Sequence, residues 1–142
     1  MIRSYAATDK EVVLSIWRDA SALAHPFLSA QATEQAHAMI RDRFLDMAET
    51  HVAVVDGQPV GFIALIGNEV GGLFVRPAFH GQGLGTALMD RAVALRGSVE
   101  LSVFSANAIG RRFYTRYGFA EGEERIAAFF GHPEIRMHYP SS

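Results

Sequence analysis

Leu73-Phe74-Val75-Arg76-Pro77-Ala78-Phe79-His80-Gly81-Gln82-Gly83-Leu84-Gly85-Thr86-Ala87-Leu88 is the stretch on which the fold turns. Val70 to Val75 is a β-rich run closed by Pro77, and Gly71-Gly72 inside it predicts a bulge or a close backbone approach. Leu84 to Leu95 is spaced as a helix and is stopped by Gly97. Between strand and helix, successive N–H groups with no Cβ in the way form an anion-binding cradle at a helix N-terminus. A Walker A loop needs a Gly-Lys-Ser/Thr ending, and no lysine is present. A dinucleotide fingerprint needs glycine where Thr86 stands and belongs beside the first strand of a βαβ unit, whereas this loop follows a hairpin and one more strand. A glycine-rich turn that only lets helix and strand pack closely is the remaining alternative.

Working outward, His51 to Val55 and Val60 to Ile66 are strands joined by Asp56-Gly57-Gln58-Pro59, a strong hairpin signal. Before them, Ile2 to Tyr5 is a short strand and Asp9 the N-cap of a helix with Val12, Val13, Ile16, Trp17, Ala20 and Leu23 on one face. His25-Pro26 interrupts that helix. Ser29 caps a second one, with Ala36, Ile40, Phe44, Leu45 and Met47 as its apolar face. On the C-terminal side, Val99 to Phe104 alternates as a strand, and Asn107 to Tyr117 is a short helix closed by Gly118. Strands from Phe119 onward and over Ile135 to Tyr139 end the chain. The order βααβββαβαββ makes a mixed α/β fold, one central sheet with helices on both faces.

The 142 residues amount to one domain, 1–142, without repeats or a linker. A composition 49% hydrophobic and 20% charged argues against disorder. Thirteen Lys and Arg against fifteen Asp and Glu, net −2, argue against a bulk hold on nucleic acid, and Lys10 is the only lysine. The absence of cysteine removes disulfides, thiolate metal sites and a cysteine nucleophile. No run approaches the ~20 apolar residues of a membrane span, and the start of the chain lacks a signal peptide's apolar run, so the expected location is cytoplasmic. His51, His132 and His138 have no metal-ligand spacing, and no metal is expected.

The loop has a companion about thirty residues on, Asn107-x-x-Gly110-x-x-Phe113-Tyr114-x-x-x-Gly118-Phe119. Together the two stretches resemble the acetyl-CoA motif and the second signature of the GNAT superfamily of N-acetyltransferases, in the right order and with a strand between them. The element order matches too, so the resemblance spans nearly the full chain and implies a GNAT-like, mostly antiparallel sheet. Length and the His25-Pro26-Phe27-Leu28 segment look like the family's small bacterial members. The resemblance implies acetyl-CoA as cosubstrate, pyrophosphate held by His80, Gly81, Gln82, Gly83, Leu84, Gly85 and Thr86, and further contacts from Asn107, Gly110 and Phe113. The family usually carries Gln or Arg where this chain has His80, which holds less fixed charge than arginine at neutral pH. His80 is read as a phosphate ligand or as a surface residue.

Acetyl transfer from a thioester to an amine sets the remaining expectations. A lysine-like acceptor with pKa about 10.4 is neutral in only about one molecule in a few thousand at pH 7, so a base or a water chain is useful. The resemblance implies that Tyr114 protonates the leaving thiolate, a phenol of pKa about 10 being protonated at neutral pH. The alternative is a packed aromatic beside Phe113 and Tyr117. Glu69, heading the strand that leads into Leu73-Phe74-Val75, is the candidate base, with ordered water as the other route. The resemblance also implies that this strand splays from Val99–Phe104, so that backbone groups of Leu73, Phe74 and Val75 pair with the pantetheine arm and the Val75 N–H takes the oxyanion. Asn107 is read as a pantetheine contact or a helix cap. His25 and Phe27 border the acceptor site in relatives, and Phe129-Phe130 is read as its wall or as sheet core. The function expected is direct transfer to a primary amine of a small molecule, peptide N-terminus or protein lysine, by a monomer or homodimer. A non-catalytic acetyl-CoA-binding module is the competing class.

Overall fold

Strand β3, Gln58–Ile66, carries the longest apolar run of the chain because both of its faces are covered. Side chains of a strand alternate between faces. Phe62 and Ala64 therefore join Val13, Ile16 and Trp17 on one side, while Ile63 and Leu65 join Leu88, Met89 and Ala92 on the other. The computed structural model describes residues 1–140, and the elements around β3 follow from this division. β1 (Ile2–Ser4), β2 (Glu49–Val55), β3 and β4 (Glu69–Val75) form one half of the sheet; β5 (Val99–Phe104), β6 (Ala120–Ile126) and β7 (Pro133–Tyr139) form the other. Their spatial order is β1-β2-β3-β4-β5-β7-β6. Every neighbouring pair is antiparallel except β4–β5.

Helices α1 (Lys10–Ala24) and α2 (Ala30–Met39) cover one face. Helix α4 (Leu84–Arg96) covers the other, where Tyr114 and Tyr117 of α5 (Ala108–Tyr117) also pack. The turn between β2 and β3 is Asp56-Gly57, both at positive φ (51° and 79°), the two-residue geometry that matches strand twist. Ser29 caps α2 by accepting the Ala32 N–H at 3.0 Å.

Three details differ from the sequence reading. Helix α2 runs into a wider turn over Ile40–Phe44 and a short helical turn α3, Leu45–Met47. This carries Met47 off the apolar face and leaves it 68% exposed. The wide turn also lays the Phe44 ring over Gly71 of β4, where a Cβ would come within 2.5 Å of it.

Asp9 makes no cap for α1. It is buried, accepts the Ala6 N–H at 2.8 Å, and takes two hydrogen bonds from Arg3 at 2.8 and 3.0 Å. The Arg3 guanidinium holds its carboxyl below the usual range. A depressed carboxylate contributes stability that is present above its unfolded pKa of about 3.9 and is lost as pH falls through the folded value. Asp9→Asn is therefore expected to lower stability at pH 7 by about 1 kcal/mol, the difference between a charged and a neutral hydrogen-bonded group. The gap to wild type should shrink on acidification below pH ~4. Urea unfolding at pH 7 and pH 3 measures both, and equal gaps at the two values would refute the assignment.

Candidate active site

The sheet opens at its centre. Across β4–β5 only Glu69 and Glu100 are paired, and Glu100 N–H also donates to Asn68 O at 2.9 Å. The cause lies in β4's other partner. Ala64 faces Gly72 but Leu65 faces Val70, which leaves Gly71 as an extra residue, and a bulge of this kind bends its strand.

Backbone directions in the opening follow from register. Arg76 N–H donates to Val60 O at 2.8 Å, which makes Gly61–Val75 a non-hydrogen-bonded pair. By alternation Phe62–Phe74 is bonded and Ile63–Leu73 is not. The N–H and C=O of Leu73 and Val75 thus face the gap, while those of Phe74 are spent on β3. The expectation for Phe74 is corrected accordingly: it contributes its ring, tilted over Phe62 at 5.6 Å and edge-on to His25 at 6.3 Å. His80 closes over the Val75 carbonyl, with Nε2–H donating to it at 2.9 Å. Its ring is thereby folded onto the end of β4, and the Val75 N–H stays open toward the gap.

Beyond β4 a single turn, Pro77–Phe79, leads into the glycine loop. Gly81 and Gly83 both sit at φ +80°, and a Cβ on either would meet nothing within 4 Å. Conformation demands glycine there, and the space beside the loop is open. Helix α4 begins at Leu84, and the first bond closing it is Ala87 N–H to Gly83 O at 3.0 Å. The amides of Leu84, Gly85 and Thr86 are left without helical acceptors. Gly85 answers to packing rather than conformation. A Cβ there would lie 3.2 Å from the Phe113 ring, so glycine lets α4 and α5 approach. Gln82 is exposed and its side chain does not line the cleft, so the expected contact from it is confined to the backbone.

Helix α5 is capped by Asn107, whose Oδ1 accepts the Gly110 N–H at 2.9 Å. Gly110 is required because a Cβ would lie 2.6 Å from the Asn107 amide nitrogen. One and two turns on, Arg112 and Arg116 line the cleft, and among the described residues neither has an ion-pair partner. Tyr114 points inward and packs edge-on against Phe113 and Phe119, each at 5.5 Å. Its hydroxyl makes no hydrogen bond among the described residues, and burial raises its pKa above the ordinary 10.

Glu69 lines the cleft floor in a bidentate pair with Arg136, which also donates to Ser102 Oγ at 3.1 Å. It is a tethered carboxylate, with one lone pair per oxygen left over. His25 lines the cleft, but Phe27 does not; it stands behind, against Phe104 at 5.3 Å and His132 at 5.2 Å. Phe129 and Phe130 both line it, Phe129 half-exposed and Phe130 edge-on to Phe104 at 5.1 Å. The whole cleft measures about 830 Å³ and runs from the glycine loop past the β4–β5 gap to the aromatic end.

Phe104, Arg112 and Arg116 of its lining, and Arg136 as the partner of Glu69, escaped the sequence reading. Phe104 was legible as the strand residue opposite in phase to Val99, Leu101 and Val103. Arg112 and Arg116 were legible as a one-turn pair beside the second signature. Arg136 carried no signal, since only the sheet brings it to Glu69. Glu121 and Glu124 of β6 lie outside the cleft lining, engaged by Arg111 and Ser105. Among the described residues no three His, Asp or Glu side chains gather as a metal site, and no helix is long and apolar enough to cross a membrane.

A family model for the acetyltransferase (GNAT) domain matches residues 46–121, the span from β2 through the glycine loop and α5 to the start of β6. The chain belongs to the GNAT family. A peptidyl-lysine N-acetyltransferase of Salmonella typhimurium, YjaB, is 34% identical over 119 residues, 83% of this chain and 81% of that protein. A second, YiaC of Escherichia coli, is 28% identical over 120 residues, 84% of this chain and 82% of its own length. The solution structure of apo YjaB from Escherichia coli superposes with a TM-score of 0.89 at 28% identity, covering 100% of this chain and 98% of that one. This GNAT chain is an N-acetyltransferase, and the reading as a non-catalytic module is set aside.

Proposed function

We propose that the chain transfers the acetyl group of acetyl-CoA to the side-chain amine of a lysine in a protein or peptide, by direct attack within a ternary complex. The observation that carries this reading is the union, in one cleft, of free strand amides at Leu73 and Val75, orphan amides at the loop, and the unpaired Tyr114 hydroxyl. The loop fits phosphate, since open space lies beside Gly81 and Gly83 and the unpaired charges of Arg112 and Arg116 line the same cleft. Val75 N–H, the open strand amide next to the loop, suits an amide of a pantetheine arm laid along β4 away from the phosphates. The lysine preference is carried over from the relatives' names.

In this reading Leu73 N–H, farther from the loop and nearer Glu69 than the Val75 N–H read from the sequence, donates to the carbonyl oxygen as negative charge develops there. Tyr114 gives its proton to the sulfur as the carbon–sulfur bond breaks. The attacking amine's proton passes through ordered water to the lone pairs of Glu69 that Arg136 leaves free. The acceptor approaches past Phe129 and Phe130.

Calorimetry with acetyl-CoA, against ATP and NADH as controls, is expected to give selective heat for acetyl-CoA. Release of CoA is then followed with a lysine peptide blocked at its N-terminus and with a lysine-free peptide bearing a free α-amine. Release with the first alone is the expected result. Absence of acetyl-CoA binding overturns the reading, and release with the second alone overturns its lysine part.

A further inference from the structure

His25 reaches the cleft with both ring nitrogens already engaged. Asn107 Oδ1 is turned to the Gly110 N–H, which directs its Nδ2 at His25 Nε2 across 3.3 Å. Nδ2 can only donate, so Nε2 is the bare nitrogen and the ring proton lies on Nδ1. From there it donates to Ser21 Oγ, at 2.9 Å, inside the last turns of α1. Phe27 at 5.8 Å, Phe74 at 6.3 Å and Phe104 at 5.0 Å surround the ring edge-on. Burial among them pushes the His25 pKa down to about 4, so the imidazole is neutral, as the hydrogen bond from Asn107 requires.

A single line of hydrogen bonds therefore runs from the Gly110 amide through Asn107 and His25 to Ser21. Its ends belong to different sides of the cleft. Ser21 sits where α1 leads into the connection that borders the acceptor end, and Gly110 sits in the first turn of the helix that carries Phe113 and Tyr114. A ring with both nitrogens committed offers no donor or acceptor to an incoming amine. We infer that His25 is a positioning residue for acetyl-CoA, holding the Asn107 amide and with it the first turn of α5, and that it makes no polar contact with the acceptor. This rests on the acetyl-CoA reading above and changes the role that the resemblance implies for His25.

His25→Phe keeps the ring packing and removes both hydrogen bonds; His25→Gln returns one acceptor and one donor. His25→Phe is expected to weaken acetyl-CoA binding by about fivefold, the effect of losing one partly buried hydrogen bond. Its acetyl-CoA KM should rise in step, with the acceptor KM within about twofold of wild type. Amide exchange at Gly110 and Arg111 in the ligand-free protein should quicken, and His25→Gln should recover at least half of each change. Ser21→Ala cuts the same line outside the cleft and should quicken the same amides by less, which keeps a test in hand if the phenylalanine variant does not fold. A raised acceptor KM with unchanged acetyl-CoA affinity overturns the inference, as does unchanged exchange in the variants. Wild-type protein that binds no acetyl-CoA strikes the underlying reading instead, because the exchange experiment needs no ligand.

Discussion

Tyr114→Phe is expected to lower kcat by about 100-fold or more while acetyl-CoA affinity stays within about twofold, the pattern of a lost general acid. The hydroxyl is the only group removed. Among the described residues it has no hydrogen-bond partner to strand, and the ring keeps its edge-on contacts with Phe113 and Phe119. Stability should accordingly hold. The pH profile gives an independent check. Burial raises the phenol's pKa, so Tyr114 keeps its proton throughout the range in which a lysine acceptor, pKa about 10.4, gains its free amine. Between pH 7 and pH ~9.5, kcat/KM should climb with the neutral amine and show no falling limb from Tyr114. A variant that turns over like wild type, or a falling limb well below pH 10 that the variant abolishes, would remove Tyr114 from the proton-donor role.

Gly83→Val should weaken acetyl-CoA binding by about 100-fold or more, the combined result of about 1–3 kcal/mol of backbone strain and a disordered amide cradle. A β-branched residue at φ +80° lies outside its allowed region, and relaxation of that strain turns the Leu84 amide away from the loop. The added side chain also enters the open space beside the loop. Packing gives no other reason for a loss, because no atom lies within 4 Å of the new Cβ, and Tm should fall by only about a few degrees. Gly57→Val supplies the control: the same region of φ, +79°, in a turn remote from the cleft. It should suffer similar strain and bind normally. Unimpaired binding by Gly83→Val would mean that the loop is only a packing turn.

The elements were legible wherever local chemistry decides them. The Asp56-Gly57 turn, the Ser29 cap and the Gly97 and Gly118 stops all appear where the residue types put them, because each depends on a few neighbouring φ angles or one hydrogen bond. Asp9 shows the limit. Its type suits an N-cap, but Arg3 lies close enough in the fold to claim it. In the site, the glycine loop and the Asn107–Tyr114 stretch were legible because each works within a single turn. Glu69–Arg136 and His25–Asn107 were not, since they join residues 67 and 82 positions apart and only the folded sheet sets their distances. Phe74 fails more subtly: whether a strand residue's amide faces one neighbour or the other depends on register, which alternates with every residue and leaves no trace in residue type.

A sheet with one rung across its middle behaves mechanically as two plates, β1–β4 and β5–β7–β6, with α4 lying over the seam. A molecule threaded between the plates supplies rungs that the chain itself lacks. On the reading proposed here, the cosubstrate is for that time a strand of the protein, removed and replaced at every turnover. Stability against unfolding then follows occupancy by mass action, rising as RT ln(1 + [L]/Kd). The same acetyl-CoA pool that feeds the reaction sets how firmly the two plates are held together between reactions.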